Sequence, residues 1–446
     1  EGIGVVVDPA AHAALSDDGG AAGGEGGGRG AGAGQEQPDG GEGEAGMEVN
    51  EIRDALFEYH QIIYSMYTFY CALDDTMDAG DGYAIGRDVF LLFLRDVNLV
   101  DPDSHNCRLQ DFERLFEAAN VEQTVKSIEQ REANRLNFDH ALMRFEFIQV
   151  LARTAITKFC YGEYDDGRAP PDISDAVAEL MNVYIVPNLP AEAKHEPDTF
   201  RRKRFYTREV HELFKEHETA LRTVFDYYAN VEGEGVTIRK TEATLTMYEF
   251  EVFLRDCNLF LDENVDPSRC PIGMSPLRSR LTFMWSQPFT TDELKRRPQL
   301  TGANFTDFLE MLGRMCTFLP MVSADELKLH ECESAKEYYD NMVEGKLRAD
   351  VLPELSAAGL GGTAGDELGF DWFHEENSEV PLAPDLRTLI TLVLDRLDDS
   401  GDGKIDRRDL EVRRRKMMIA QERLLVRRGT SISAKNMADM LGDPVM

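Results

Sequence analysis

Basic residues are scarce in this sequence: Lys and Arg total 48 against 82 Asp and Glu, for a net charge of −34. A phosphate backbone would be repelled over most of such a surface, which argues against a nucleic-acid partner. Long apolar runs are also missing. No stretch reaches the roughly 18 residues that span a bilayer, so no membrane partner is expected. The first residues lack a basic segment leading into an apolar core, so no secretory signal is expected. The seven cysteines are odd in number and form no C-x-x-C pair. Several lie in apolar stretches, as Cys316 does beside Met315. That pattern favours reduced, buried thiols in the cytoplasm over a disulfide framework. Catalytic signatures are lacking as well. His211 and Glu212 would need a second His at 215 to hold zinc on one helix face, and that residue is Lys215. No Gly-x-Ser-x-Gly elbow or kinase motif occurs. The expectation is a protein that is not an enzyme.

What is present is mostly helical patterning. Residues 1–48 are rich in Gly, Ala and Glu, bury little apolar surface, and read as a disordered tail. From Val49 onward, apolar residues recur at three and four, as in IRDALFEYHQIIYSMYTFYCAL and ALMRFEFIQVLARTAITKF. That is the period of helices with one buried face. Residues 161–207 read as a connector, and its run Arg201-Arg202-Lys203-Arg204 as a solvated basic cluster.

The two regions that flank the connector, 49–160 and 208–320, carry a repeat. FLLFLRDVNL, from Phe90 to Leu99, returns as FEVFLRDCNL, from Phe250 to Leu259, an offset of 160. Later helices match as well: Phe147, Leu151 and Arg153 align with Phe308, Leu312 and Arg314. One unit of about four helices has been used twice. The loop DAGDGYAIGRDVF holds Asp78, Asp81, Gly82 and Ile85, but its spacing is in error and its acidic residues read as solvated.

The third region, 321–430, holds the strongest local signal, DRLDDSGDGKIDRRDLE; residues 431–446 read as a tail. Counting from Asp398 gives a twelve-residue loop with Ser400 at position 3, Asp402 at 5 and Gly403 at 6. Lys404 follows at 7, Ile405 at 8, Asp406 at 9 and Asp409 at 12. A hard cation takes six to eight oxygens, and alternate loop positions set them around one centre. Lys404 would offer its carbonyl, and Ile405 would join a short strand with a partner loop. Position 12 is Asp409 where Glu is usual. The shorter side chain favours binding through one oxygen and makes Mg2+ a rival to Ca2+. A damaged partner loop is expected in YYDNMVEGKLRADVL. It has Asp340 at position 1, Met342 at 3, Glu344 at 5, Gly345 at 6, Leu347 at 8 and Val351 at 12, so pairing without metal is expected. The helix after the metal loop is the most basic stretch of the chain, carrying Arg407, Arg408, Arg413 to Lys416, Arg423, Arg427 and Arg428.

Residues 386–420 resemble the calmodulin-type EF-hand superfamily, and the two repeats resemble degenerate relatives of it. TLTMYEFEVFLRDCNLFLDE with ANFTDFLEMLGRMC is similar to the core of the tubulin polymerisation-promoting protein family. In that likeness Leu254, Arg255, Asp256 and Cys257, then Phe305, Phe308 and Leu312, fall on the family's pattern; the first copy has Val97 where the second has Cys257. The resemblance implies tandem EF-hand-like pairs, one metal site, and a non-enzymatic component of microtubules or the ciliary axoneme, with tubulin or other axonemal proteins as partners. The rival expectation is a calcium-sensor adaptor that exposes an apolar groove to a target. The basic helix would dock on an acidic surface such as tubulin, or on an acidic lobe of its own chain.

Overall fold

A computed structural model describes residues 41–74, 83–104, 106–120, 140–160, 172–229, 243–261, 270–290, 292–294, 296–347 and 380–427. The described chain is mostly helical, as the apolar periodicity leads one to expect. It divides into two units, residues 1–67 with 85–190, and residues 68–84 with 191–446. The expected tail of residues 1–48 lies mostly outside the described residues. Its last residues, however, belong to the helix Gly41–Glu58. Ile52 and Leu56 of that helix are buried. Once such a face is anchored, each further residue adds one hydrogen bond to an existing helix, so the helix extends upstream into weak helix formers.

In the first unit the repeat copy is built on the helices Arg87–Asp96, Leu109–Ala119 and Arg144–Ala155. Phe90, Phe93, Leu94, Phe112, Phe116, Phe147 and Leu151 face inward at helical spacing and are buried. Phe93 meets Phe147 edge-on, with centroids 5.3 Å apart, and Phe90 tilts against Phe116 at 5.5 Å. Just ahead of two of these helices, Ile85 pairs with Leu142 and Gly86 with Ala141 in a two-residue antiparallel ladder. Ile85 and Leu142 have no exposed surface, so the ladder satisfies backbone groups that enter the core. The helix Arg87–Asp96 ends on Asn98 at φ 53°, and the Leu99 N–H returns to the Leu94 carbonyl at 3.0 Å. Asn tolerates this left-handed conformation better than other non-Gly residues.

The second unit repeats this plan with Arg208–Tyr228, Met247–Asp256, Pro276–Ser286 and Phe305–Phe318. Thr207, Thr246, Ser275 and Asn304 cap the four N-termini through their side-chain oxygens. Leu245 and Ala303 exchange both backbone hydrogen bonds at 2.8 Å, in the place of the Ile85–Leu142 pair. Phe253 meets Phe308 edge-on at 5.4 Å, and Asn258 ends its helix at φ 55°. The helix Ala383–Leu397 packs against Phe305–Phe318, Arg208–Tyr228 and Ala335–Val343.

The basic stretch at 201–204 is solvated only in its middle, at Arg202 and Lys203, and is covered at its two ends. Arg204 is 3 % exposed and Arg201 is half-buried. Arg201 Nε donates to both oxygens of Glu310 at 3.0 and 2.9 Å, and its Nη2 donates to the carbonyls of Trp285 and Gln287. Arg314, with no exposed surface, shares Glu310 and donates to the Pro197 carbonyl at 2.8 Å. A run of cations reads as solvated when the buried carboxylate that receives it lies over a hundred residues away.

Candidate metal-binding loop and its anchors

Leu386, Leu389, Ile390, Val393 and Leu397 bury one face of the helix Ala383–Leu397, which stops where the polar loop begins. The Asp398 N–H closes the last turn on Leu394. The Asp398 carboxylate then gathers the loop around itself: Oδ1 accepts from the Gly401 N–H at 2.7 Å and the Ser400 hydroxyl at 3.1 Å, and Oδ2 from the Gly403 N–H at 2.7 Å. Gly401 and Gly403 adopt φ of 71° and 76°. An added Cβ would meet nothing at either position, so glycine is needed there for its backbone freedom and not for space. Asp402 Oδ1 accepts from the Lys404 N–H at 2.9 Å.

Asp406 and Asp409 start the helix Arg407–Arg427 by capping each other. The Asp409 N–H donates to Asp406 Oδ1 at 3.0 Å, and the Asp406 N–H to Asp409 Oδ2 at 3.1 Å. Asp409 Oδ1 also accepts from the Ser400 N–H at 3.0 Å, and this carboxylate is 6 % exposed. Burial works against ionisation of Asp398, but the hydrogen bonds from Gly403, Gly401 and Ser400 outweigh it and hold its carboxyl below the usual range. The Asp409 N–H lowers the Asp406 carboxyl in the same way.

The loop thus brings Asp398, Ser400, Asp402, Lys404, Asp406 and Asp409 into one short turn, each carboxylate resting on the loop's own N–H groups. Among the described residues, no group of three or more His, Cys, Asp or Glu side chains is gathered to hold a metal ion. The donor set itself suits a hard cation: four carboxylates, one hydroxyl and a chain that turns tightly on glycine. Ile405 is half-buried, and no bridge pairs it among the described residues. The expected partner loop takes a different form. Asp340 lies inside the helix Ala335–Val343. Gly345, at φ 66°, caps that helix, with its N–H on Met342 and the Lys346 N–H on Asn341. A glycine two residues past a helix end serves as a C-cap as readily as it serves a loop. Leu347 is the last described residue before 380, so Val351 falls outside the description, as do Asp78, Asp81 and Gly82.

The basic exit helix lies on its own chain. Arg413 Nε donates to the Asp256 carbonyl at 2.7 Å, and Arg414 pairs with Asp256 Oδ1 at 3.5 Å. Asp256 has no exposed surface, and its Oδ2 accepts from the Tyr228 hydroxyl at 3.0 Å. Burial raises the Asp256 carboxyl above its ordinary range, against the pull of Arg414 and Tyr228. Ahead of the loop, Arg396 Nη1 donates to the Cys257 carbonyl at 2.9 Å and to Asn258 at 3.2 Å. A carbonyl-rich helix end is a natural seat for arginine. Lys416 pairs with Asp399 within the loop. Asp256 was visible in the sequence as a shared letter of the repeat and of the family resemblance; nothing local marks it as the receiver of a helix 157 residues away.

Compared with family models, curated proteins and solved structures, the chain matches none. No helix among the described residues is long and apolar enough to cross a membrane.

Proposed function

We propose that this is a non-enzymatic, EF-hand-type protein that holds one Ca2+ or Mg2+ in the loop Asp398–Asp409. We place it as a structural or regulatory component of microtubules or the ciliary axoneme. The observation that carries the metal reading is the loop itself. A buried apolar helix delivers Asp398, two glycines at positive φ wrap the chain around its carboxylate, and Asp409 returns from the first turn of the next helix. The ligand set is Asp398, Ser400, Asp402, the Lys404 carbonyl, Asp406 and Asp409. The short ladder at Ile85–Leu142 and the bridge at Leu245–Ala303 support reading the repeats as decayed hand pairs. The Arg413 and Arg414 contacts with Asp256 favour a scaffold over a sensor, because the helix after the loop is already docked.

Calorimetric titration of the full chain tests the ion site. The unaltered chain should bind one ion, and Asp398→Ala with Asp402→Ala should abolish the binding heat; unchanged stoichiometry would sink the loop assignment. The same preparation tests the role. A scaffold pellets with microtubules and shows no ion-induced rise in binding of an apolar-surface dye, whereas a sensor adaptor gives the reverse on both counts.

A further inference from the structure

The segment FLRD-x-NL builds the same helix end twice. In the second copy the N–H groups of Cys257, Asn258 and Leu259 return to Phe253, Arg255 and Leu254. In the first copy those of Val97, Asn98 and Leu99 return to Phe93, Arg95 and Leu94. Each copy therefore sets its aspartate at the electronegative end of a helix. The second copy shows what such an end accepts. Arg413 takes the Asp256 carbonyl, Arg414 pairs with its carboxylate, and nothing of Asp256 stays exposed.

The first copy has no such cover. PDISDAVAELMNV, from Pro171 to Val183, aligns with PDLRTLITLVLDR, from Pro384 to Arg396, at an offset of 213. Ala176, Val177 and Leu180 are buried, as Leu389, Ile390 and Val393 are, and each of the two helices packs on the last helix of its own copy. On that register Val183 stands in the place of Arg396, and it is 56 % exposed against 6 %. The first unit then ends at residue 190, so Arg407–Arg427 has no counterpart in it. The helix end is correspondingly open. The Asp96 side chain is 28 % exposed, and Asn98 is exposed where Asn258 is half-buried. In the second copy Arg255 is folded back on Glu251 at 3.2 Å and on the Phe260 ring. Leu91 and Val100 hold those two places in the first copy, so Arg95 extends into solvent and reaches Asp96 only at 3.9 Å. An exposed pair of this kind is worth less than about 1 kcal/mol, so a better-placed guanidinium can displace it. From Arg95 to Ser104 the chain carries three Asp and one Arg, and Asp101 and Asp103 are exposed.

We propose that Asp96 and the helix end around it are a docking seat for a partner protein's helix that carries adjacent arginines. That is the element the second copy takes from its own chain. The seat needs no ion, so the proposal stands apart from the metal reading above.

The probe is a fluorescently labelled synthetic peptide of residues 407–427, titrated with the full chain in EDTA and read by anisotropy. The unaltered chain should bind one peptide. Asp96→Arg, with its fold checked by circular dichroism, should weaken that binding at least about tenfold. Arg413→Ala with Arg414→Ala in the peptide should do the same and leaves the fold of the protein untouched. A scrambled peptide of the same composition measures the general pull of an acidic chain on a basic peptide. Absence of binding, equal binding of the scrambled or Arg-to-Ala peptide, or undiminished binding by Asp96→Arg overturns the proposal. Hydrogen exchange locates the peptide: the amides of Val97 to Leu99 should slow when it is added. Slowing confined to Cys257 to Leu259 means that the peptide has replaced the chain's own helix, and that outcome overturns the proposal as well.

Discussion

The two repeat copies share a framework but differ in what they receive. The last helix of the first copy reads RFEFIQVLARTA, with Gln149 and Ala152 where the second copy has Glu310 and Gly313. In the second copy Glu310 holds Arg201 and Arg314, and Gly313 lets the Phe205 ring lie against the helix backbone. Arg153 is half-buried, whereas its counterpart Arg314 has no exposed surface. The earlier helix shows the same contrast. Asp96 is half-buried, and Asp256 is sealed under the exit helix and Tyr228. Ring packing and helix ends have been kept, while further segments of chain are accepted both at changed residues, Glu310 and Gly313, and at an unchanged one, Asp256. The second copy is a platform, built by swapping a few inward positions of the shared fold and covering others.

The comparison is broken most severely by Glu310→Gln, which gives the second copy the residue of the first. The buried Arg314 and the half-buried Arg201 lose the carboxylate they share, Arg201 keeping Asp198 at 2.7 Å, and removing one side of a buried pair costs about 3–5 kcal/mol. Chemical denaturation, with hydrogen exchange resolved by unit, should show that loss in the second unit only. Gly313→Ala is gentler. The new Cβ would lie 2.9 Å from Phe205 Cδ2 and 3.0 Å from Cε2, so the ring must shift. Overpacking of about 1–3 kcal/mol outweighs the gain of about 1 kcal/mol in helix propensity, and the melting temperature should fall. The reciprocal Ala152→Gly should cost the first unit the propensity, about 0.5–1 kcal/mol, and one buried methyl, about 0.8 kcal/mol.

A further contrast is in pH. Burial raises the Asp307 carboxyl from 3.8 to about 6, against the hydrogen bond from the Asn304 N–H, with Glu310 adding to the rise and Arg201 opposing it. The folded state therefore binds this proton more tightly than the unfolded state. The resulting stability is full below pH 3.8 and is lost as pH rises through about 6. Asp307→Asn keeps an acceptor for the Asn304 N–H and should flatten that part of the second unit's pH profile. A profile that stays as steep would place the titration on another group.

Much of this was legible in the sequence wherever the signal is local or periodic. The helical faces around Phe90, Phe93, Phe250 and Phe253 follow from spacing, and the repeat follows from FLRD-x-NL. The tight turn at Asp398 follows from its glycines and carboxylates. What stayed hidden depends on partners remote in sequence. Arg201 looks solvated until Glu310 is placed beside it, and of the surfaces on which the basic exit helix could dock, the one on its own chain shows only once Asp256 is beneath it. Gly345 shows a different limit. One glycine after one acidic residue fits a cation loop and a helix cap equally well, and the geometry places it in the cap. The departures of Glu310 and Gly313 from their counterparts were the available clue, since a change at a matched inward position marks a new neighbour.

The short backbone tethers of the two copies have a consequence for chain length. From Phe90 to Phe116 the chain advances 26 positions, and from Phe250 to the corresponding Phe283 it advances 33. The next interval runs 31 positions from Phe116 to Phe147 but 25 from Phe283 to Phe308. The rings return to the same partners and the tethers still close, although the spans between them have stretched and shrunk. Loop-closure entropy grows only with the logarithm of length, so those seven added residues cost about 0.2 kcal/mol. A fold held at a few pinned points is thus nearly indifferent to how much chain hangs between them, and that is where a reporter peptide could be spliced with least penalty.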